Sequence, residues 1–341
     1  MKCCGNCLGD RYLKDVLIPT FSEEVSVCDY CGSTNQIVLA PIQLRDYIEQ
    51  VIVVYEEEVN GEPLVKLLLD DWGLFNHPNL EVLSAHALLA EILDDGEIVR
   101  KKFRLRDEAG KNTIQSWNDF KDEIMHNNRF FPGETLDVSR LKKLFKLLEY
   151  QLDSDQTDWY RTRIQKDPSS PYSLSEMGAP PKELASHGRA NPIGIPYLYL
   201  ASDKVTAVSE TRPHTGESVS IAKFSVNQEV ELVDLRNPKV SASPFNLADN
   251  DEIDIYSLRD DIRLLELLGK ELSRPIIPDA AALNYIPTQY LCELIKNCGY
   301  DGVVYGSAMG EGINLALFSI FQVNATSVEE GIVSKVKVSL N

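Results

Sequence analysis

The cysteines near the N-terminus restrict the fold of this chain more than any other feature of its sequence. Two CxxC pairs, Cys4 with Cys7 and Cys28 with Cys31, are separated by twenty residues. Four thiolates at this spacing satisfy the tetrahedral coordination of Zn²⁺, and four sulfur ligands leave no open position for a substrate. The spacing therefore predicts a structural zinc site within residues 1–36, a module too short to build its own hydrophobic core.

Three further cysteines lie outside this pattern. Cys3 adjoins the first pair and is an alternative ligand to Cys4, so the sequence leaves that choice open. Cys292 and Cys298 lie within or just after an amphipathic stretch, where we expect thiols without a chemical role. In a reducing compartment, clustered cysteines bind metal more often than they form disulfides.

The composition is that of a globular protein with an acidic surface. Its 341 residues are enough for about two domains, and 34 basic against 52 acidic residues give a formal net charge of −18. This balance argues against a broad nucleic-acid-binding face, which needs a basic stripe, but it leaves room for a small phosphate pocket. The sequence has no apolar run of membrane-spanning length, and its first residues lack the apolar core of a signal peptide. We therefore expect a cytoplasmic protein that does not bind membranes.

The spacing of apolar residues divides the rest of the chain into three parts. Residues 37–152 are predicted to form a mainly helical domain, because apolar residues recur there at helical intervals. From 153 to 330 short strands alternate with turns and a few helices, which predicts an α+β domain. Residues 331–341 would form a C-terminal tail.

Strands and helices of the α+β domain follow from the same patterns. The predicted strands are Tyr197–Ala201, Ser218–Phe224, Val230–Asp234, Gly302–Tyr305 and Leu315–Phe321. The predicted helices are Lys204–Thr211, Leu258–Leu272 and Thr288–Asn297, the last of them capped by Gly299.

Residues 188–210, GRANPIGIPYLYLASDKVTAVSE, carry the strongest indication of function. Arg189, Tyr199 and Glu210 lie on a predicted loop, strand and helix that follow one another, so all three side chains could face one cleft. A guanidinium group binds phosphate through paired hydrogen bonds, and a tyrosine stacks on a flat heterocycle. A carboxylate binds sugar hydroxyls and stabilises positive charge at an anomeric carbon. The segment therefore predicts a ligand that has both a phosphate and a sugar.

A resemblance to a known family covers about half of the chain. The residues that carry it are Tyr160-Arg161, Gly188 to Pro192 with Gly194, Tyr197 to Ala201, Thr206-Ala207 with Glu210, Asp234-Leu235, Tyr285, Thr288-Gln289, Glu293, Gly299 to Ser307, Asn314 and Phe318. They occur in the order found in the RES domain, a family named for its arginine, glutamate and serine. Residues from about 159 to 325 therefore resemble a RES domain, and the preceding part is similar to the extension of some longer members.

This resemblance implies a fold and an activity. Many RES proteins are toxins of bacterial toxin–antitoxin pairs, and their fold is similar to that of ADP-ribosylating toxins. They consume NAD⁺ by breaking the nicotinamide–ribose bond, as hydrolases, phosphorolytic enzymes or ADP-ribosyltransferases. NAD⁺ would then be the substrate of this chain, and Zn²⁺ would be a structural ion only.

The resemblance also implies roles for individual residues. Arg189, Tyr199 and Glu210 would be catalytic, with Tyr199 against the nicotinamide ribose and Glu210 stabilising the cationic transition state. Arg161 and Arg189 would hold the pyrophosphate or an incoming phosphate. The set of cofactor-binding residues would be Arg161, Arg163, Asn191, Ser307 and Asn314.

The acceptor of the ADP-ribose and the control of activity stay open at this point. A helix-turn-helix antitoxin of the Xre type, the N-terminal extension or a homo-oligomer are the candidate means of control. ADP-ribosylation of a protein target is an alternative activity. A non-catalytic interaction module built from the zinc and helical segments is a second alternative, and the retained arginine, tyrosine and glutamate argue against it.

Overall fold

The computed structural model describes residues 1–106, 113–133, 136–152, 158–246, 254–319 and 323–336. Within these ranges the chain is a mixed α/β protein. None of the helices in these ranges has the length and apolar character needed to cross a lipid bilayer.

The helices range from single turns to one of 19 residues. In chain order they are α1 (Gly5–Leu8), α2 (Ile18–Phe21), α3 (Arg45–Ile52), α4 (Leu64–Trp72), α5 (Val82–Leu93), α6 (Thr113–Asp122), α7 (Val138–Leu147), α8 (Lys204–Glu210), α9 (Pro238–Ser241), α10 (Ile255–Ser273), α11 (Ala281–Asn284) and α12 (Ile286–Asn297).

The strands are short near the N-terminus and longer towards the C-terminus. They are β1 (Cys3–Cys4), β2 (Val25–Ser26), β3 (Gln36–Leu39), β4 (Tyr55–Pro63), β5 (Lys102–Leu105), β6 (Glu149–Tyr150), β7 (Asp158–Ile164), β8 (Leu198–Ala201), β9 (Ser218–Val226), β10 (Leu232–Asp234), β11 (Gly302–Gly306), β12 (Ile313–Leu317) and β13 (Val323–Ile332).

The chain divides into two compact units. The first comprises Met1–Ser116 and Asn237–Leu265, and the second comprises Trp117–Arg236 and Glu266–Asn341. The backbone therefore passes from one unit to the other within α6, after β10 and within α10. Residues 117–152 belong to the second unit, together with most of the residues that resemble a RES domain.

The first unit contains a three-stranded sheet (β1-β3-β2) and the β4–β5 pair. A buried carboxylate lies at the centre of its polar contacts. Asp71 on α4 is 2% exposed and lies 2.7 Å from Arg259 Nε and 2.9 Å from Arg263 Nη2. Tyr55 donates its hydroxyl to Asp71 at 2.8 Å and accepts a hydrogen bond from Trp72 Nε1 at 3.0 Å. Both carboxylate oxygens therefore have partners, which compensates for the loss of hydration on burial.

The second unit is built on an eight-stranded sheet in the order β13-β9-β7-β8-β12-β11-β10-β6. Neighbouring strands are antiparallel except β10 and β11, which are parallel. A parallel pair needs a long crossover connection. Residues 235–301, which carry α9 to α12, supply it.

One face of this sheet covers the hydrophobic core of the second unit. Leu198 and Leu200 of β8 and Leu315 of β12 belong to this core. Because side chains alternate along a strand, Tyr199 and Asn314 point to the opposite face of the sheet. The pleat thus separates apolar side chains that stabilise the unit from polar ones that are free to bind a ligand.

The predicted strands and helices of the C-terminal part are present, most of them with ends within three residues of the prediction. The predicted strand Leu315–Phe321 is Ile313–Leu317, and its predicted last residues, 320 and 321, lie outside the described ranges. Gly299 follows α12 with a φ of 101°, as a helix-capping glycine does. The polar, largely exposed edge strand β13 was not predicted, because its residues do not alternate between apolar and polar.

The part predicted to be mainly helical contains α3 to α7 but also the β4–β5 pair. Apolar residues recur at helical intervals from Leu44 to Tyr55, whereas α3 ends at Ile52 and Tyr55 begins β4. The helical pattern and the strand pattern cannot be told apart here, because the run Val51–Tyr55 is apolar throughout and its β-branched residues favour strands.

We expect the substitution Asp71→Asn to lower the free energy of unfolding by about 3 kcal/mol, because it leaves the buried Arg259 without a full counter-charge. Chemical denaturation followed by circular dichroism measures this loss. The matched control is Glu62→Gln, which removes an exposed ion pair with Lys66 (3.1 Å). The control should change stability by less than about 0.5 kcal/mol. Equal effects of the two substitutions would contradict a central role for Asp71.

Candidate functional site

A cleft of about 300 Å³ lies against the sheet of the second unit. Its lining combines arginines, tyrosines and one carboxylate. These residues are Arg161, Arg189 and Arg212, Tyr160, Tyr199, Tyr285 and Tyr305, and Glu210.

The floor of the cleft is a row of paired positions across four adjacent strands. Tyr160 on β7 is paired with Ala201 on β8, and Ala201 is paired with Asn314 on β12. Asn314 is in turn paired with Tyr305 on β11. Paired residues of neighbouring strands project to the same face. The small Ala201 between larger side chains leaves space above it for a ligand.

Glu210 reaches the cleft from α8, the helix that follows β8. Asp203 caps the start of this helix, because its carboxylate accepts the Thr206 backbone N–H at 2.8 Å. At the other end of α8, Glu210 Oε1 accepts hydrogen bonds from Ser307 Oγ and Asn314 Nδ2, both at 2.7 Å. Two donors on one oxygen fix the orientation of the carboxylate.

Arg161 is a cation with little compensation from the protein. Its Nη1 donates to the carbonyl of Tyr199 at 3.2 Å, whereas its buried Nε has no hydrogen-bond partner among the described residues. Burial, reinforced by the nearby charge of Arg163, lowers the pKa of Arg161 to about 10. An anion bound in the cleft would relieve this cost.

Arg189 is held by three contacts at the mouth of the cleft. Its Nη1 donates to the carbonyl of Arg274, and its guanidinium carbon lies 5.7 Å from the centre of the Tyr285 ring. The hydroxyl of Thr288 donates to the Arg189 carbonyl at 2.6 Å. The guanidinium group is only partly buried, so its free N–H groups remain available to a ligand.

The Tyr199 hydroxyl fixes the loop that carries Arg189. It donates to Asn191 Oδ1 at 2.7 Å and accepts the Ala190 backbone N–H at 3.0 Å. Burial raises the pKa of this hydroxyl, which keeps it protonated. Gly188 packs directly against this hydrogen bond. Tyr199 therefore offers its ring to the cleft, while its hydroxyl positions the loop.

Several of the residues predicted from the sequence meet in this cleft. Those that line it are Arg161, Arg189, Tyr199, Glu210 and Asn314. Ser307 is outside the lining and donates a hydrogen bond to Glu210.

Two residues predicted to bind the cofactor, Arg163 and Asn191, do not line the cleft. Arg163 donates to the Gly178 carbonyl at 3.2 Å, and its guanidinium lies 5.5 Å from the Tyr172 ring centre. The Asn191 amide donates to three backbone carbonyls of its own loop at 2.9 to 3.0 Å. Both side chains are thus engaged by the protein itself, and their binding of the cofactor stays a prediction.

Gly194 shapes the loop that carries Arg189. It has a φ of 80°, and its N–H donates to the Ala185 carbonyl at 2.8 Å, so it shapes the turn. It is exposed and lies outside the cleft lining, and it therefore does not bring the backbone close to a ligand there.

Arg212 is a cleft residue that the sequence did not reveal. It follows α8 with a φ of 51°, a left-handed conformation that is uncommon for a side chain of this kind, and it precedes Pro213. Its Nη2 donates to the carbonyl of Ile276 at 3.2 Å. Strained backbone of this type clusters at binding sites. The only signal in the sequence is an arginine two residues after Glu210.

Electrostatics define what the cleft can bind. Three guanidinium groups face one carboxylate in a chain whose formal net charge is −18. A cluster of arginines is suited to phosphate, and an oriented carboxylate among tyrosine rings is suited to a sugar with an attached flat base. The fold and the cleft thus define a mixed α/β protein whose cleft has the charges and rings that suit a small phosphorylated ligand.

The four cysteines of the CxxC pairs form a second candidate site. Their sulfur atoms lie within 4.8 Å of one another, with 3.7 Å between Cys4 and Cys31 and 3.4 Å between Cys7 and Cys28. Four sulfurs at the usual zinc distance of about 2.3 Å would be about 3.8 Å apart. The cluster is therefore compatible with a tetrahedral zinc ion. Cys3 lies outside it, and burial raises the pKa of its thiol to about 12.

Comparison with known proteins identifies the family. The chain belongs to the RES domain family, whose sequence model matches residues 158–334, just over half of the chain. No curated protein sequence matches it. One similar solved structure is described as the crystal structure of the M. tuberculosis MbcT–MbcA toxin–antitoxin complex, with 12% identity and a TM-score of 0.34. The match covers 56% of this chain and 92% of the other chain.

We expect Gly188→Ala to lower the free energy of unfolding by about 2 kcal/mol, because the added Cβ overpacks the Arg189 loop. That atom would lie 2.3 Å from Asn191 Oδ1 and 2.7 Å from the Tyr199 hydroxyl. Denaturant titration measures the loss. Gly178→Ala is the matched control, since its Cβ would meet nothing within 4 Å. A Gly188 variant as stable as this control would contradict the close packing of the loop.

Proposed function

We propose that the cleft binds NAD⁺ and that the protein breaks the bond between nicotinamide and ribose. The observation that carries this proposal is the single carboxylate of Glu210, held by Ser307 and Asn314 in a cleft that is otherwise rich in arginine. Membership of the RES domain family supports the same substrate, because toxins of this family consume NAD⁺.

Arg161 and Arg189 are assigned to the diphosphate of NAD⁺. Among the described residues Arg161 donates one hydrogen bond, from Nη1, and Arg189 is partly exposed at the mouth, so both guanidinium groups have further N–H groups to donate. Guanidinium groups bind phosphate oxygens through short, charge-assisted hydrogen bonds. The diphosphate would thus be held away from the bond that breaks, which fixes the position of the attached ribose.

Glu210 is assigned to the reacting sugar. Its Oε1 is engaged by Ser307 and Asn314, whereas no described group hydrogen bonds to Oε2, which is free to accept a ribose hydroxyl. When the C–N bond breaks, its electron pair leaves with nicotinamide, and positive charge develops on the ribose. A fixed carboxylate stabilises that charge, so no covalent nucleophile is needed.

The new bond forms at the anomeric carbon of the ribose. The acceptor oxygen, from water, phosphate or a protein side chain, supplies the electron pair and loses a proton to solvent. Tyr199 would pack its ring against the ribose, since its hydroxyl is already bonded to the loop. Arg163 and Asn191 are assigned to the structure around the cleft and not to the ligand.

Loss of NAD⁺ would make the protein toxic to its own cell, so its activity would need control. Many RES toxins are paired with an antitoxin, and we extend this arrangement to the present chain. The natural target of such a partner is the mouth of the cleft near Arg189, where a bound protein would exclude NAD⁺.

We further propose that Cys4, Cys7, Cys28 and Cys31 bind one structural Zn²⁺. The convergence of four buried sulfurs supports this assignment. Four thiolate ligands complete the coordination of zinc, so the ion would stabilise residues 1–36 and take no part in the reaction.

An NAD⁺ assay with and without phosphate tests the activity, with the products separated by mass. We expect nicotinamide together with ADP-ribose or a phosphorylated ADP-ribose. Transfer of label from labelled NAD⁺ to a protein band would instead identify protein ADP-ribosylation. Failure of the folded protein to release nicotinamide under either condition would overturn the proposal.

Glu210→Gln should lower kcat by about 100-fold, because it removes the charge that stabilises the transition state but keeps a similar shape. KM for NAD⁺ should change much less, since the diphosphate contacts remain. The control is Glu183→Gln, a change of the same kind at an exposed residue of the same unit. Comparable losses in the two variants would contradict the role of Glu210.

Removal of metal tests the zinc assignment. We expect about one zinc per chain, which is released when a reagent titrates the thiols. Cys28→Ser should abolish zinc binding and unfold residues 1–36. Elemental analysis and limited proteolysis measure these effects. Cys298→Ser, a change outside the cluster, should retain the metal. Full zinc content in the Cys28 variant would rule out the four-cysteine site.

A further inference from the structure

Two of the three cleft arginines are anchored to one short segment of backbone. Arg189 Nη1 donates to the carbonyl of Arg274, and Arg212 Nη2 donates to the carbonyl of Ile276. These carbonyls belong to Arg274–Ile276, the segment that directly follows α10, and we call it the anchor segment. Its position therefore sets where both guanidinium groups lie in the cleft.

The start of the anchor segment is held by residues that precede the RES domain. Glu271, in the last turn of α10, is 12% exposed at its side chain. Its Oε2 accepts a hydrogen bond from Trp117 Nε1 at 3.1 Å, and its Oε1 forms an ion pair with Lys121 Nζ. Trp117 and Lys121 lie on α6, outside the matched range 158–334.

The packing around this contact makes it a fixed point. Trp117 is 1% exposed, and it stacks on Phe120 with 5.8 Å between the ring centres. Phe120 in turn contacts the ring of Tyr290 on α12 at 4.7 Å. The part of α6 that belongs to the second unit is thereby packed against the helices that flank the cleft arginines.

We propose that Trp117 and Lys121 are positioning residues for the NAD⁺ site, acting through Glu271 and the anchor segment on Arg189 and Arg212. This inference rests on the proposed function of the cleft. It makes the end of α6 part of the functional domain, although this helix precedes the region that the family model covers.

The physical basis is the flexibility of arginine. A guanidinium group on a long side chain loses much conformational freedom when it binds phosphate, and a prior hydrogen bond to a fixed carbonyl reduces that loss. If the anchor segment moves, both arginines lose this preorganisation together. The contacts of Arg189 with the diphosphate are the same before and during bond cleavage, so the effect should appear in KM more than in kcat.

The test uses the full chain with three substitutions of the α6–Glu271 contact. Lys121→Met and Glu271→Gln break the ion pair, and Lys121→Arg retains it. We expect the first two to raise KM for NAD⁺ roughly fivefold, with kcat within about twofold. Lys121→Arg should keep the KM of the unsubstituted protein. Lys101→Met is the matched control, because it removes an exposed lysine–glutamate pair of 2.6 Å in the first unit. It should leave KM unchanged.

Binding of ADP-ribose, measured by calorimetry, separates this inference from the proposed activity. The two disruptive variants should weaken that binding by the same factor as KM, even though no bond is broken. If the unsubstituted protein binds ADP-ribose but releases no nicotinamide, the proposed activity fails while the positioning role is still measured. Unchanged ADP-ribose affinity in Glu271→Gln would overturn the positioning role. Should Lys121→Met unfold, Glu271→Gln, which keeps the side-chain shape, decides the question.

Discussion

The pairing of β8 with β12 is the constraint on which the site depends. In this register Ala201 is opposite Asn314, and Leu200 is opposite Leu315. A slip of one residue would turn Asn314 into the hydrophobic core and Leu315 into the cleft, because side chains alternate between the faces of a sheet. The leucines that stabilise the core therefore also determine that Asn314 meets Glu210. Stability of the fold and geometry of the site are two results of the same pairing.

Much of this site could be predicted because its residues lie on elements with clear local signals. The apolar strand around Tyr199 and the capped helix that ends at Glu210 both follow from local patterns, and the structure contains both. Arg161 and Arg163 show where such patterns stop. Residues two apart in a strand share a face, so the sequence does not distinguish the arginine that enters the cleft from the one that bonds Gly178. That choice depends on how the loop after the strand folds back to place the Gly178 carbonyl.

Contacts between distant segments were beyond prediction for the same reason. Nothing local in the sequence links Trp117 to Glu271, which is 154 residues away. The resemblance implies that Asn191 is a ligand residue, whereas its amide bonds three backbone carbonyls of its own loop and the Tyr199 hydroxyl. The likeness of the fold to ADP-ribosylating toxins and the boundaries of the predicted domains stay predictions. The two compact units follow from contacts that only the folded chain contains.

The charge of the whole molecule has a kinetic consequence for a cleft of this kind. NAD⁺ carries a net negative charge, and a protein with a formal net charge of −18 repels it over a range that salt sets, about 8 Å at physiological ionic strength. Beyond that range salt screens the repulsion, and at the cleft itself the arginines dominate the local field. The association rate with the dinucleotide should therefore be low in dilute buffer. It should rise with salt, which screens the repulsion by the net charge, whereas electrostatic steering has the opposite salt dependence. A longer polyanion meets the same repulsion along its whole length, so we expect the net negative charge to keep nucleic acids out of a cationic cleft without any steric barrier.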